Sequence, residues 1–434
     1  MSLYSKLDKI KSTDLSVASG RVERVVGLAV ETLGPSVRIG EICNICSANS
    51  KTSVMAEVVG FRDKHMLLMP YDNLSGIGPG SVVEATGRLF SIPVGMGLVG
   101  RIIDGTGVPI DDGGPIEAED YYVVDGNPSN PLQRPRIKEP ITLGVKAIDS
   151  LLTLGRGQRV GIFAGSGVGK STLLGMIARN AQADINVIGL VGERGREVRD
   201  FIEKDLQKEG MQKTVLVVAT SDRPAMVRLK CAMVATTVAE YFRDKGMSVM
   251  LMMDSLTRFA MAQREIGLAT GEPPVSRGYT PSIFAIMPKL LERSGNFEKG
   301  SITGIYTVLV EGDDMNEPIS DTVRGILDGH IVLSRALAMQ NHYPAINVLS
   351  SISRLMPDIA ARDHLDLAGQ MRSLLATYEN YADLIGIGAY KSGSNPEVDK
   401  AIHYHEPITN FLKQLVEERY DMDGTIEQMK KVLA

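Results

Sequence analysis

The part of the sequence best suited to chemistry is a glycine-rich run that ends in a lysine and two hydroxyl side chains. It reads Ala-Gly-Ser-Gly-Val-Gly-Lys-Ser-Thr over residues 164–172. Glycines allow a tight turn in which successive backbone N–H groups converge on phosphate oxygens. The lysine could then reach the β- and γ-phosphates of ATP, and the serine hydroxyl could ligate Mg²⁺. The predicted nucleotide contacts are Gly165, Ser166, Gly167, Val168, Gly169, Lys170, Ser171 and Thr172.

The segments on either side of this run support the same interpretation. Residues 158–163 predict an apolar strand, and Leu173, Leu174 and Ile177 predict a helix that follows. A strand, a glycine-rich loop and a helix start, in this order, define a P-loop. The strict pattern begins with glycine where this chain has Ala164, but the remaining glycines supply the flexibility. A chance glycine-rich turn is the alternative, and it would not require the flanking strand and helix.

Two further apolar runs lead to charged residues. Residues 249–253 lead to Asp254, and residues 185–191 lead, after one glycine, to Glu193 and Arg194. Because open parallel sheets bind ligands at the carboxyl ends of their strands, we expect these residues to meet the P-loop at one edge. Asp254 could hold Mg²⁺ through water, Glu193 could polarise the attacking water, and Arg194 could contact the γ-phosphate. Alone, each acid would more often be a helix cap or a solvated strand end; beside a P-loop, a functional role is favoured.

Several motifs in the right order resemble the family of the α/β subunits of rotary ATPases and their homo-oligomeric relatives. Residues 192–194 match the catalytic loop of that family, and residues 344–353 fit its signature. The resemblance extends over roughly residues 20–434 and is close through residues 140–360. Within the family, five stretches are similar to the ATPase of bacterial flagellar (type III) protein export: residues 254–260, 278–282, 288–293, 311–314 and 328–335.

The resemblance implies roles that the residues alone leave open. Glu193 matches the catalytic base, and Glu197 falls where relatives hold a metal-bound water. Composition alone would make Arg354 a surface arginine after a strand, whereas the resemblance makes it the arginine finger given to the neighbouring subunit. One chain would carry both base and finger, so a homo-hexameric ring could be active throughout. The implied metal residues are Ser171, Asp254 and Glu197, and the implied catalytic residues are Glu193, Lys170, Arg354 and Arg194.

One position departs from the family pattern. Rotary catalytic subunits place a His-Tyr pair beside the adenine, and this chain has His364-Leu365 there. The residues of the adenine pocket are therefore left open, together with any preference for ATP over other nucleotides.

The expected fold class is α/β, with a RecA-like P-loop core on a mostly parallel sheet, an N-terminal β-barrel and a C-terminal helical domain. Residues 1–17 predict a short amphipathic helix. Residues 18–92 contain short β-rich runs cut by Gly and Pro, which is typical of a small barrel. Strand and helix patterns alternate across residues 93–362, the ATPase domain, and residues 363–434 are helical in pattern.

The two ends of the chain are the predicted sites for partners. By the resemblance, the N-terminal helix docks to a stator-like regulatory protein, and its basic side would suit peripheral contact with an anionic membrane. The C-terminal domain is expected to contact export chaperones and substrates. Three cysteines cannot form a disulfide framework, and no apolar run approaches the ~20 residues that span a bilayer. The expected location is cytoplasmic, peripheral to the inner face of the plasma membrane at the export apparatus.

Two other functions would use the same P-loop. One is a nucleotide-binding subunit of a hetero-oligomeric rotary ATPase. The other is a ring helicase or RNA translocase, which needs basic and aromatic contacts in the barrel. The barrel region has few aromatics, and the net charge of −5 gives no global attraction to nucleic acid, so no nucleic-acid partner is expected. The sequence does not separate flagellar from virulence-associated export.

Overall fold

A computed structural model describes residues 18–47, 53–310, 312 and 314–434. The amphipathic helix predicted for residues 1–17 lies outside this part of the chain. Along the described residues, a β-barrel is followed by a mostly parallel sheet with helices and then by further helices, so the predicted fold class is confirmed. Among the same residues, no helix has the length and apolar character needed to cross a bilayer.

The first six strands close into a barrel. They are β1 (Ser19–Val26), β2 (Ala29–Leu33), β3 (Glu41–Cys46), β4 (Ser53–Arg62), β5 (His65–Pro70) and β6 (Val82–Leu89). The order around the barrel is β1-β2-β5-β4-β3-β6, and closure pairs both edges of every strand. Val22, Ile45 and Val58 point into its core. Gly20 is required where β1 passes the end of β2, because a Cβ there would lie 2.2 Å from the carbonyl of Gly34.

The chain then forms two small strand pairs and a large central sheet. The small pairs are β7 (Ser91–Val94) with β9 (Asp120–Val123) and β10 (Pro140–Ile141) with β11 (Leu154–Gly155). The central strands are β8 (Ile102–Asp104), β12 (Arg159–Ala164), β13 (Ile185–Glu193), β14 (Thr214–Thr220), β15 (Ser248–Asp254), β16 (Gly295–Asn296), β17 (Ser301–Leu309), β18 (Gly329–Leu333) and β19 (Ile346–Ser353).

The polarity of the central sheet decides where its functional residues lie. The strand order is β19-β18-β12-β17-β15-β13-β14-β8, and β16 pairs with β17 off this path. Along the path every neighbouring pair is parallel except β18 with β19, which is antiparallel. Strands such as β13 and β15 are buried on both faces, which explains their largely apolar sequences. The parallel strands therefore end at one edge, and β19 ends at the other.

Helices pack on both faces of this sheet. Between α3 and α4 the chain forms one π-helical segment, Phe201–Leu206. The helices are α1 (Lys146–Leu151), α2 (Lys170–Asn180), α3 (Gly195–Asp200), α4 (Gln207–Met211), α5 (Ala225–Asp244), α6 (Leu256–Thr270), α7 (Pro281–Leu291), α8 (Pro318–Ile326), α9 (Arg335–Met339), α10 (Met356–Ile359), α11 (Arg362–Gly386), α12 (Pro396–Leu412) and α13 (Met422–Leu433).

The last three helices join the core through a narrow apolar contact. Met371 of α11, Phe411 of α12 and Met429 of α13 pack into the same cluster as Ile148 of α1. Gln414, just after α12, reinforces this contact by accepting from the N–H of Lys146 at 2.8 Å and donating to the carbonyl of Gly144 at 2.8 Å. Most of α11 faces away from the core, which leaves a long polar surface.

A buried ionic cluster connects the barrel to the central sheet. Lys230 of α5 is 2% exposed, and its Nζ lies 2.9 Å from carboxylate oxygens of both Glu57, in β4, and Asp125. Tyr71 Oη donates to Glu57 at 2.5 Å. Removing one member of such a cluster costs more than the whole cluster contributes, because the remaining charges stay buried without compensation.

The substitution Lys230→Met is expected to lower the free energy of unfolding by about 3 kcal/mol, since it leaves the Glu57 carboxylate buried without its cation. Urea denaturation would measure the change. A matched control is Lys245→Met, which removes an exposed lysine whose partner, Glu119, is half-exposed; its effect should be much smaller, because water screens this pair. Equal losses in the two variants would contradict the structural role of the buried cluster.

Candidate active site

The glycine-rich run forms the turn between β12 and α2. Gly167 and Gly169 have φ angles of 77° and 90°, a left-handed conformation that suits glycine. Gly169 is the N-cap of α2, so backbone N–H groups of the first helical turn are available to the loop. The loop lines a cavity of about 620 Å³ at the carboxyl edge of the parallel strands. Seven of the eight predicted nucleotide contacts line this cavity, and Val168 is instead buried.

Lys170 connects the loop to both predicted acids. Its Nζ contacts Asp254 Oδ1 and lies 3.8 Å from Glu193 Oε1. Thr307 Oγ1, on β17, donates to Asp254 Oδ1 at 2.7 Å. The side chains of Lys170, Glu193 and Asp254 are at most 13% exposed, so water screens their interactions weakly. The parallel sheet thus brings together three charged groups that are far apart in the sequence.

The surroundings of Glu193 give it the properties of a general base. Burial and the nearby Asp254 carboxylate raise the pKa of Glu193 to about 7, and Lys170 opposes this shift. Within the described part of the chain, Glu193 Oε1 is buried and has no hydrogen-bond partner. Ser171, Glu197 and Asp254 join Glu193 around a recess of about 20 Å³, the space that one water molecule needs. A carboxylate that titrates near neutral pH beside such a recess can accept a proton from water.

The backbone before Glu193 turns this side chain toward the recess. Gly192 has a φ of 70°, and the pairing of β13 with β14 shifts register between Val191 and Glu193. A Cβ at position 192 would lie 3.2 Å from the Cβ of Arg258. Glycine is therefore favoured here both by the backbone conformation and by the close approach of α6.

Arg194 and Glu197 lie on the open side of the cavity. Arg194 is the N-cap of α3, its side chain is 78% exposed, and its guanidinium lies 3.7 Å from the carboxylate of Glu197. Both residues line the P-loop cavity, and Glu197 also reaches the small recess beside Glu193. The structure thus brings together the predicted residues Lys170, Ser171, Glu193, Arg194, Glu197 and Asp254.

Arg354 lies at the opposite edge of the same sheet. It follows β19, which runs antiparallel to β18, so its Cα is at the amino end of β12 while the P-loop is at the carboxyl end. The six residues of β12 separate these edges by about 20 Å. The side chain of Arg354 is exposed, and its Nη2 donates to the carbonyl of Arg324 at 3.3 Å. A chain therefore does not bring its own Arg354 to its own Lys170.

Two arginines at the cavity were not predicted as site residues. Arg258, in the first turn of α6, lines the cavity, and its Nε is buried without a hydrogen-bond partner among the described residues. Arg335 lines the same cavity from the start of α9. The signal for Arg258 was available in principle, because it lies one helical turn after Asp254 and helix starts collect around the P-loop edge. Arg335 has no comparable signal.

An aromatic ring beside the P-loop also escaped prediction. Tyr343 is 42% exposed, and its ring lies 3.5 Å from the position that a Cβ on Gly169 would occupy. His364, considered at the sequence level for its place in the adenine motif, is 2% exposed, and its Nε2 is 2.7 Å from the carbonyl of Ser150. His364 therefore belongs to the contact between α11 and α1.

Three parts of this chain match known protein families. Residues 144–353 match the protein family described as ATP synthase alpha/beta family, nucleotide-binding domain. Residues 22–87 match the beta-barrel domain of the same family. The chain belongs to the ATP synthase alpha/beta family. Within this family its C-terminal part is distinctive, because residues 360–431 match the T3SS EscN ATPase C-terminal domain.

Relatives match nearly the whole chain. A flagellum-specific ATP synthase of Bacillus subtilis is 58% identical over 96% of this chain and 96% of its own length. The assembled ATPase EscN of the enteropathogenic E. coli type III secretion system is similar in structure, with a TM-score of 0.91 and 48% identity over 96% of this chain and 100% of that one. EscN in complex with its central stalk EscO gives a TM-score of 0.88 at 47% identity, with the same coverage.

These findings confirm the predicted family and the predicted ATPase activity, and they favour type III export over the two alternatives. The domain boundaries and the roles of individual site residues stay predictions.

The raised pKa of Glu193 predicts a pH-dependent cost to stability. The protonated Glu193 carboxyl group stabilises the folded chain, because its pKa is higher in the folded than in the unfolded state. This contribution is complete below the unfolded pKa and is lost as the pH rises through about 7. Glu193→Gln mimics the protonated group at every pH. Between about pH 4.5 and about pH 8, its unfolding free energy should rise by about 3 kcal/mol relative to the unsubstituted chain. Urea denaturation without nucleotide measures this difference, and a pH-independent difference would contradict the assignment.

Proposed function

We propose that this chain hydrolyses Mg-ATP at the interfaces of a homo-hexameric ring and that hydrolysis drives type III protein export in the flagellar system. One observation carries the catalytic part: Lys170, Glu193 and Asp254 meet beside the P-loop, and Arg354 lies at the opposite edge. The names of the relatives support export, and 58% identity to a flagellum-specific relative favours flagellar use.

The P-loop would bind the phosphates of ATP, and the residues around the small recess would hold Mg²⁺. Backbone N–H groups of the loop and the Lys170 ammonium bind the β- and γ-phosphates, so Lys170 exchanges its contact with Asp254 for one with phosphate. Ser171 would ligate Mg²⁺, with Asp254 and Glu197 acting through bound water. The described residues include no ready-made group of three His, Cys, Asp or Glu ligands. One hydroxyl ligand, with two carboxylates acting through water, suits Mg²⁺, which usually keeps several waters and shares its coordination with substrate phosphates.

Glu193 would perform the proton transfer. Its Oε1 accepts a proton from a water molecule as the water oxygen attacks the γ-phosphorus, and the bond from that phosphorus to the β–γ bridging oxygen of ADP breaks. With Mg-ATP bound, Lys170 would turn to the phosphates, and Mg²⁺ would supply positive charge beside them. The Glu193 carboxylate would then orient the water for in-line attack on the γ-phosphoryl group.

Arginines would compensate the charge that develops on the transferred group. Arg194 and Arg258 line the cavity of the chain that binds ATP. Arg354 would come from the neighbouring chain, because its own chain holds it at the far edge of the sheet. A head-to-tail ring satisfies this requirement at every interface, since each chain presents one edge of each kind.

Tyr343 is the residue we propose for the base of the nucleotide. Its exposed ring stands beside Gly169, at the start of the helix that would follow the phosphates. An aromatic face at this place can stack on adenine, and stacking tolerates every base. Discrimination between ATP and other nucleotides would then be weak.

Partners follow from the relatives. EscN has been seen assembled and in complex with its central stalk EscO. By likeness, we propose that this chain forms a ring around a stalk-like regulatory protein. The stator-like contact of the N-terminal helix, the contact of the C-terminal helices with export chaperones and substrates, and peripheral membrane contact remain proposals from the family resemblance.

Single substitutions at the cluster should abolish turnover without abolishing assembly. Lys170→Ala and Glu193→Gln are each expected to lower kcat by at least about 10²-fold, since one removes a phosphate ligand and the other the base. Steady-state phosphate release measures this, and activity of the unsubstituted chain should rise with protein concentration as rings form. Glu203→Gln, an exposed glutamate paired with Arg199, is the matched control and should keep full activity. An isolated chain inactive at every concentration would favour a subunit of a hetero-oligomeric ring.

Mixed rings test whether Arg354 acts on the neighbouring site. Arg354→Ala chains keep their base, and Glu193→Gln chains keep their finger, so some interfaces in a mixture combine both intact groups. At equal amounts about a quarter of the interfaces should recover, because each interface draws its two chains at random. Phosphate release by the mixture measures this. The absence of any recovery in rings that native mass spectrometry shows to be mixed would reject a finger in trans.

A further inference from the structure

The backbone of Arg354 is held by a set of hydrogen bonds around Asp328, the residue before β18. The backbone N–H of Arg354 donates to the carbonyl of Asp328 at 3.0 Å. The carboxylate of Asp328 accepts from the backbone N–H of Arg159 at 3.1 Å and from its guanidinium at 3.1 and 3.3 Å. The N–H of Asp328 donates back to the carbonyl of Arg159 at 2.9 Å. One aspartate thus connects the start of β12 to the end of β19.

A second set of contacts holds the residue before Arg354. Gln158 is fully buried, and its Nε2 donates to the carbonyl of Asp328 and to Ser353 Oγ, both at 3.1 Å. Ser353 Oγ donates in turn to the carbonyl of Thr153 at 2.8 Å. The backbones also approach closely here, because a Cβ on Gly329 would lie 2.6 Å from the carbonyl oxygen of Ile352.

The side chain of Arg354 is held much less firmly than its backbone. The guanidinium has one hydrogen bond within the described residues, the 3.3 Å contact to the carbonyl of Arg324. Its remaining N–H groups point to the surface of the chain. A firmly held backbone with an exposed, weakly bonded guanidinium suits an arginine that acts on a neighbouring chain. The backbone fixes where the side chain starts, and catalytic groups tolerate position errors of only about 0.5 Å.

Resting on the proposed role of Arg354, we propose that Arg159, Asp328 and Gln158 are positioning residues for the active site of the neighbouring subunit. They do not touch ATP in either chain. The Arg159–Asp328 pair sets where β19 ends, and this determines where the guanidinium of Arg354 meets the transferred phosphoryl group. The pair is itself anchored, because Arg159 Nη1 lies 2.5 Å from a carboxylate oxygen of Glu292.

The test uses full-length chains and the logic of mixed rings. Asp328→Asn keeps the shape of the side chain but removes the charge that holds Arg159. Alone, this variant is expected to lose on the order of 10- to 100-fold in kcat with little change in KM, because binding of ATP to its own P-loop is untouched. Arg159→Lys keeps the positive charge but loses the two-pronged geometry, and it should lose activity in the same direction.

Complementation separates positioning from general damage. Mixed with Glu193→Gln, the Asp328→Asn chain should recover as much activity as Arg354→Ala does in the same mixture, since the Glu193→Gln chain supplies an intact finger. Mixed with Arg354→Ala, it should recover none, since neither chain then supplies a well-placed finger. A chain that is merely misfolded would gain from neither partner.

The matched control is Asp111→Asn. Asp111 forms a two-pronged pair with Arg101 of similar burial, far from Arg354, and its loss should leave kcat unchanged. If Arg354→Ala recovers with Glu193→Gln but Asp328→Asn does not, the positioning role is wrong and the finger stands. If neither recovers, the finger in trans itself is wrong. Unchanged kcat in Asp328→Asn, or loss of ring assembly in both Asp328→Asn and Arg159→Lys, would also overturn the inference.

Discussion

Two carboxylates share one lysine at the carboxyl edge of the central sheet, and the rest of the structure depends on this arrangement. Glu193 and Asp254 bring two carboxyl groups into a poorly hydrated place, and the Lys170 ammonium between them supplies the compensating positive charge. Glu193 and Asp254 end two strands, and Lys170 begins the helix that follows a third, so the site exists only if those three strands run in the same direction. Long buried apolar strands and covering helices are the means by which the sequence enforces that direction.

The one antiparallel strand on this path has an equally definite effect. Since β19 reverses direction beside β18, the chain places Arg354 at the edge of the sheet opposite the P-loop. Under the proposed role of Arg354, each chain offers a phosphate pocket at one edge and an arginine at the other. Head-to-tail contacts join these two edges, and they close into a ring when the rotation between subunits allows it.

Much of this arrangement was predictable from the sequence because the decisive signals are local. The P-loop reads as a strand, a glycine-rich turn and a helix start, and Asp254 and Glu193 each follow a mostly apolar run. Arg354 was identified by family resemblance, since nothing in its neighbourhood distinguishes it from an ordinary surface arginine.

The remaining features depend on contacts that are distant in the sequence. Tyr343 approaches Gly169 because β19, which follows it, begins at the P-loop edge of the sheet, and Arg258 joins the cavity where Gly192 admits α6 closely. His364 shows the converse, since a position that matches a binding motif has become part of a buried contact between helices. The barrel was foreseeable from its frequent turns, whereas its strand order depends on long-range pairing that turn signals do not encode.

Strand β12 belongs to both edges at once. Its last residue leads into the P-loop, its first residue holds Asp328, and β17 and β18 clamp it on either side. A short strand that is paired with both of its neighbours moves little relative to them, so β12 acts as a rigid spacer between the P-loop and Arg159. In the proposed ring, the distance between the pocket that a chain offers to one neighbour and the arginine that it offers to the next would then be the same at every interface.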